Sequence, residues 1–183
     1  MSDTANYLDT FPAWLKTLGE DAGHLAALLP DNAVAQESRE ALAGGLNYLF
    51  KTLDLIPDGI DDIGYLDDAF VLRVSADLAL RGGAPLAGAA DKVAAVEKLA
   101  AEADIVKEFL EGNYARLETY VKGLRKGAAR GRSVNDIVTD ERVRTEFLSD
   151  VRGFETSYTS PSFTREEKVL IKLRAFFDAK LPK

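Results

Sequence analysis

Residues 46–72 read Leu46-Asn47-Tyr48-Leu49-Phe50-Lys51-Thr52-Leu53-Asp54-Leu55-Ile56-Pro57-Asp58-Gly59-Ile60-Asp61-Asp62-Ile63-Gly64-Tyr65-Leu66-Asp67-Asp68-Ala69-Phe70-Val71-Leu72. This is the pattern of two helices joined by a rigid, acid-rich turn. Pro57 cannot continue a helix and pushes Ile56 toward an extended conformation. Asp58-Gly59 suits a tight turn in which the glycine is free to take a positive φ, and Gly64 ends the excursion. Asp67 and Asp68 fall in the first turn of the second helix, where carboxylates meet the positive end of the dipole. Leu55, Ile56, Ile60, Ile63 and Leu66 are placed to tuck the turn against the helices it joins.

Working outward, the helix before the turn is expected from about Val34 to Leu53. Leu42, Leu46, Leu49 and Leu53 form its apolar stripe, Phe50 widens it, and Gly44-Gly45 weakens it locally. The helix after the turn, about Tyr65 to Leu80, is apolar around most of its circumference and so belongs in the middle of a bundle. Gly82-Gly83-Ala84-Pro85 ends it. Upstream, Leu8, Phe11, Trp14, Leu15 and Leu18 mark a helical segment from about Asn6 to Leu29, which Gly19 and Gly23 are expected to split in two. Pro30 closes that segment and Asp31 is positioned to cap the next helix.

Downstream, a long helix is expected from about Gly88 to Lys126. Leu99, Ala103, Val106, Leu110, Leu117, Val121 and Leu124 recur at steps of three, four and seven, with a bend expected at Gly112. At about 1.5 Å per residue it would reach roughly 50 Å, a length that suits a protruding helix or a seam shared with another copy of the chain. Gly127 to Gly131 is a glycine-rich basic connector. Ser133 and Asp140 are positioned as helix caps, and Thr164 to Glu167 has the arrangement of a capping box. The last helix carries Val169, Leu170, Leu173, Phe176 and Phe177 inward. The fold class that follows is all-α: a helical bundle with a helix-turn-helix around the acidic turn and one long helix. Residues 1–130 form the bundle, and the helices of 131–183 pack on the same core.

Tyr48, Asp54-Leu55-Ile56-Pro57-Asp58, Gly64-Tyr65-Leu66-Asp67-Asp68 and the apolar helix after them resemble the YkvA-like family, a bacterial domain of unknown function. The resemblance covers about residues 40–80. It implies the helix-turn-helix but no activity. Some relatives look membrane-associated, which makes peripheral membrane association a third functional reading. Asp61 and Asp62 stand here where relatives are often apolar, and Lys51, Arg73 and Asp77 interrupt the flanking helices. Both features argue against entry of this turn into a membrane.

Six carboxylates between Asp54 and Asp68 raise the question of a divalent cation. Oxygen ligands suit magnesium or calcium, and Asp54, Asp58, Asp67 and Asp68 are the candidate ligands. An EF-hand register fails, since counting from Asp54 puts Ile56 third and Tyr65 at the last ligand position. Helix capping by Asp58, Asp67 and Asp68, with Asp61 and Asp62 solvated, accounts for the same residues more simply, so no cofactor is expected. Arg73 sits in a helix otherwise too apolar for charge. Buried charges need partners, and the turn offers it Asp54 or Asp58.

Lys122, Arg125, Lys126, Arg130 and Arg132 make a basic run suited to phosphate or to an acidic partner surface, but helix C-termini gather such residues for dipole reasons. A net charge of -7 and the lack of interleaved aromatics argue against nucleic acid. The absence of cysteine excludes disulfides, thiolate zinc sites and a cysteine nucleophile, and the single histidine, His24, excludes a multi-histidine metal site. Phosphate-loop, dinucleotide and nucleophile-elbow patterns are missing. No signal peptide or spanning segment is visible, so a cytoplasmic location is expected. The leading functional expectation is a noncatalytic interaction or scaffolding module with a protein partner, self-associating through the long helix. The alternative is a metal-binding protein or metal-dependent enzyme that uses the acidic turn.

Overall fold

The helix that follows the acidic turn takes the centre of the molecule. The computed structural model describes residues 2–82 and 90–183, and in it α3 (Leu66–Arg81) buries every residue from Leu66 to Ala76, and Ala79 as well. A helix apolar on nearly all sides must be covered on nearly all sides. Here α1 (Ser2–Ala26), α2 (Gln36–Tyr48) and α4 (Ala90–Leu110) provide the cover. The chain continues through α5 (Tyr114–Gly123), a two-residue ribbon of β1 (Ala128–Ala129) and β2 (Arg132–Ser133), then α6 (Val134–Thr139), α7 (Glu141–Ser157) and α8 (Glu167–Lys180). The fold is an all-α bundle. One apolar core runs through it from Tyr7 to Leu181. Phe70 stacks on Phe177 of α8 at 5.1 Å and meets Phe11, Trp14 and Phe109 edge-on, so the last helix closes onto the same centre as the first.

Several helix ends differ from the expectation. α1 is continuous. Gly19 does not break it: a Cβ there would stand 3.3 Å from the Glu155 backbone, so the glycine lets α7 approach closely. α2 ends at Tyr48, five residues short of Leu53, and Leu53 is 84% exposed and not part of the apolar stripe. Asp31 shapes a turn by accepting from the Ala33 N–H and caps no helix, whereas Ser133 and Asp140 cap α6 and α7 as expected. The capping box at Thr164 does not form. Helix α8 begins at Glu167 without a side-chain cap, and the Thr164 N–H is drawn away to Asp62.

The long element is present from Ala90, with its predicted start at Gly88 and the residues Gly83-Ala84-Pro85 lying outside the described residues. It is bent where Gly112 suggested. Glu111, at φ 50, opens a short 3-10 turn, Glu111–Asn113, between α4 and α5. Leu99, Ala103, Val106, Leu110, Leu117, Val121 and Leu124 are all buried within the chain. The stripe that suggested a seam with another copy is therefore covered in cis, and the helix packs where protrusion was the alternative. The glycine-rich connector is a hairpin. Ala129 pairs with Arg132, and the two residues between them, Arg130 and Gly131, have φ of 50 and 74, the signature of a type I′ turn. Among the described residues, no helix is long and apolar enough to cross a membrane.

Candidate functional site

The acidic turn closes through one side-chain pair. The Tyr48 hydroxyl, on the last residue of α2, donates to Asp67 Oδ2 on the first turn of α3 at 2.5 Å. The same hydroxyl oxygen accepts from the Leu55 N–H at 2.7 Å, and Asp67 Oδ2 also accepts from the Ile56 N–H at 3.0 Å. Pro57 forces this backbone out of helix, which would orphan its amides. Tyr48 and Asp67 are the buried acceptors that satisfy them, so the spacing of the two blocks follows from the loop between them. The turn then tightens over Pro57-Asp58-Gly59-Ile60, where Ile60 donates to the Pro57 carbonyl at 3.0 Å.

The strain does not fall where the sequence suggested. Gly59 has no positive φ, whereas Asp62 (φ 69) and Tyr65 (φ 65) do. An aromatic residue in the left-handed region needs outside support. Tyr65 finds it against Tyr158 and Phe154, with ring centroids at 5.3 and 6.5 Å, and Tyr158 is tied to the Leu15 carbonyl by its own hydroxyl. Asp62 accepts from the Thr164 N–H at 2.7 Å, and Lys172 donates to the Asp61 carbonyl at 3.0 Å. These contacts dock the turn on the segment leading into α8 and on α8 itself. Asp62, placed among those donors, is held below the usual carboxylate range chiefly by Thr164.

The four candidate carboxylates lie near enough to feel one another's charge. Asp67 and Asp68 are buried, at 0% and 2% exposure, Asp54 is half-buried and Asp58 is exposed. Burial pushes Asp67 up to about 7, against the lowering effect of the Tyr48 and Ile56 hydrogen bonds. Burial and then the Asp67 charge push Asp68 well above the carboxylate range. Asp54 rises to about 6, through burial and then Asp58, with Lys51 opposing. Two buried oxygens, Asp54 Oδ1 and Asp67 Oδ1, have no hydrogen-bond partner. Among the described residues, however, no three His, Asp or Glu side chains stand in an arrangement that would hold a metal ion. Asp58 also borders a polar cleft of about 460 Å³ that it shares with Tyr65, Arg130, Ser149 and Asp150.

Arg73 does not pair with Asp54 or Asp58. It points away from the turn, into the α1–α3–α4 junction, where Nε donates to Glu102 at 2.8 Å and Nη2 to Asp21 at 3.1 Å. Nη1 donates to the Ala69 carbonyl, and the guanidinium lies 4.0 Å from the centre of the Trp14 ring. Thr17 holds Asp21 in place at 2.9 Å. The helical face explains the direction: a long side chain on α3 leans back toward the preceding turn and takes whatever neighbouring helix lies beside it, here α1 and α4. Asp77, one turn on, pairs with Arg81 at 2.7 Å.

The basic run is divided among separate contacts. Lys122 pairs with Glu118 at 3.4 Å. Arg132 and Arg130 share Asp150, Arg132 closely, and they lie over the rings of Phe147 and Phe50. Arg125 and Lys126 are exposed. Composition alone did not reveal a fifth feature, a cleft of about 590 Å³ along α5 lined by Lys51, Ala115, Thr119, Tyr120, Gly123 and Leu124 among others. Its residues come from three separate parts of the chain, so no local pattern marks it.

Residues 40–73, from α2 through the turn into α3, match the model of a family described as a protein of unknown function (DUF1232), which bears out the YkvA-like resemblance over that segment. No curated protein and no solved structure matches the chain.

Proposed function

We propose that this chain is a noncatalytic helical interaction module that docks a protein partner through the loop from Phe50 to Asp58, with Leu53 as its apolar anchor. The observation that carries this reading is the exposure of Leu53, 84%, beside a core in which the neighbouring Tyr48, Leu55 and Ile56 are buried. The backbone that follows it is held in place. Leu55 and Ile56 are fixed to Tyr48 and Asp67 immediately after it, so little ordering entropy remains to be lost on binding. The carboxylates that would serve acid–base chemistry are engaged in folding contacts: Asp67 with Tyr48 and Ile56, and Asp62 with Thr164. The one histidine, His24, lies on the surface of α1 beside Glu20.

A photoreactive residue at Thr52, in cells that make the protein, tests this reading. A discrete adduct with one protein is expected, lost in a Leu53→Asp variant whose melting is unchanged. No adduct, or the same adduct in the Leu53→Asp variant, would overturn it.

A further inference from the structure

The cleft along α5 is built differently from the rest of the surface. Ala115, Thr119 and Gly123 lie four residues apart, so they form one stripe on the helix, about 12 Å long at roughly 1.5 Å per residue. Their small side chains leave a trough. Tyr120, Leu124 and Pro182 wall it, and the lining is mostly apolar. Among the described residues no Asp or Glu side chain lines it, although the chain as a whole carries a charge of -7.

Its charged side chains, Lys51, Arg116 and Lys183, are cationic, and the first two differ in availability. Arg116 is occupied, donating to Asn113, Asp178 and the carbonyls of Asp178, Leu181 and Pro182, which anchors residues 178–182 against α5. Lys51 is not neutralised in this way. Its Nζ donates to the Tyr120 hydroxyl at 3.2 Å and lies over the Tyr48 and Tyr120 rings at 5.8 and 5.4 Å; among the described residues it makes no ion pair, although Asp54 is near enough to feel its charge. The two tyrosine faces fix the ammonium at the mouth of the trough. Lys51 also borders a small recess with Leu124 and Gly127, which places it at the C-terminal end of the α5 stripe. A volume in the range of small-molecule sites, an apolar trough and one oriented polar group together describe a ligand site.

The geometry points to a binding site for a small amphiphilic anion, with an unbranched apolar body along Ala115, Thr119 and Gly123 and a carboxylate or phosphate head on Lys51 and the Tyr120 hydroxyl. Electrostatics support the sign of the head group. The charged side chains of this cleft are cationic and no Asp or Glu stands in its lining, which favours an anionic head group. The cleft shares Lys51 with the docking loop but not that loop's anchor, since Leu53 does not line the cleft, so Leu53→Asp should leave anion binding intact.

Gly123 supplies a clean test. It ends α5 with ordinary helical geometry, φ -70 and ψ -22, and a Cβ there meets nothing within 4 Å. Gly123→Leu therefore fills the trough without straining the backbone. The probes are decanoate and decyl phosphate, below their micelle concentrations, with decanol and decyltrimethylammonium as controls, titrated calorimetrically into the whole chain. Saturable one-site binding of one or both anions is expected. Gly123→Leu should abolish it and Lys51→Met should weaken it about tenfold, the scale of one charge-assisted hydrogen bond. Both variants should melt close to the parent. Binding of decanoate alone or of the phosphate alone distinguishes the two head groups. No binding of either anion, equal binding of the cationic or neutral probe, or binding that Gly123→Leu leaves intact would overturn the assignment.

Discussion

The Tyr48 hydroxyl and the Asp67 carboxylate meet at 2.5 Å across the closure of the acidic turn, where no solvent reaches either side chain. Each also accepts a backbone N–H from the loop between them, Leu55 for Tyr48 and Ile56 for Asp67. Tyr48→Phe would therefore remove two hydrogen bonds with one oxygen and leave the Leu55 amide buried and unsatisfied. A loss of about 2 kcal/mol is expected, which for a chain of this size is roughly 4–8 °C of melting temperature. Urea unfolding measures it directly, and a change near zero would mean that the loop closes without this pair.

The same pair makes stability depend on pH in an unusual direction. Asp67 is raised to about 7 and Asp54 to about 6, so the folded chain holds protons more tightly than the unfolded chain between roughly pH 4 and 7. Stability from these groups is thus fully present below about pH 4 and is lost progressively as pH rises to about 7. Asp62 and Glu118, held below the usual range, remain ionised in the fold at pH 5 and do not reverse the trend there. Melting should rise from pH 8 to pH 5; Asp67→Asn should flatten part of that rise, and its combination with Asp68→Asn most of it, because Asp68 is raised in the same direction. General relief of the negative net charge would survive the substitution, which separates the two causes. Because the Tyr48 hydrogen bond lowers Asp67, Tyr48→Phe should shift the transition to higher pH.

Arg73 is 1% exposed and has two carboxylate partners, so its removal leaves charge behind in the core. Arg73→Met should cost about 3–5 kcal/mol, the range for breaking a buried pair from one side. Glu102 is 20% exposed and can turn to water, so most of the penalty should come from Asp21. A cycle of Arg73→Met with Asp21→Asn should then show strong coupling, and the cycle with Glu102→Gln a weaker one. Arg73→Lys should recover little, because an ammonium cannot span both carboxylates while lying flat on Trp14.

Magnesium or calcium at millimolar concentration should leave the melting temperature unchanged. The orphaned oxygens of Asp54 and Asp67 are two where calcium takes six to eight ligands, and Asp67 Oδ2 already holds Tyr48 and Ile56. Protons, in this reading, neutralise the buried carboxylates. A clear rise with either ion that disappears in Asp54→Asn would instead establish a cation site in the turn.

How much of this was legible in sequence depended on whether the cause was local. Pro57, the Asp67-Asp68 helix start and the all-round apolarity of α3 act within a few residues, and the helix-turn-helix and bundle follow from them. The cap at Asp140 and the bend at Gly112 are local in the same way. The Arg73 partners were not, because Asp21 and Glu102 lie 52 and 29 residues away and only the packing of three helices selects them. Leu53 continued a helical stripe by spacing alone, yet the chain leaves the helix at Tyr48, where that residue must turn its hydroxyl toward Leu55. The α5 cleft has no sequence signature at all, since small residues on one stripe matter only once Lys51 and Pro182 are brought beside them.

Two glycines in the turn should respond oppositely to alanine. A Cβ on Gly64 would stand 2.1 Å from the Asp58 carbonyl oxygen, which is backbone and cannot swing aside. Gly64 also donates to the Ile60 carbonyl at 2.9 Å, so moving it opens the turn at its tightest point. Gly64→Ala should cost more than about 3 kcal/mol. At Gly59 nothing lies within 4 Å and φ is not positive, so Gly59→Ala should stay within about 0.5 kcal/mol or stabilise slightly by restricting the unfolded chain. Urea unfolding of the pair reads both. Equal, small effects would mean that the turn is looser than the Asp58–Gly64 approach requires. The Leu53 loop, which is held by the same closure, would then lose the rigidity that makes it a docking face.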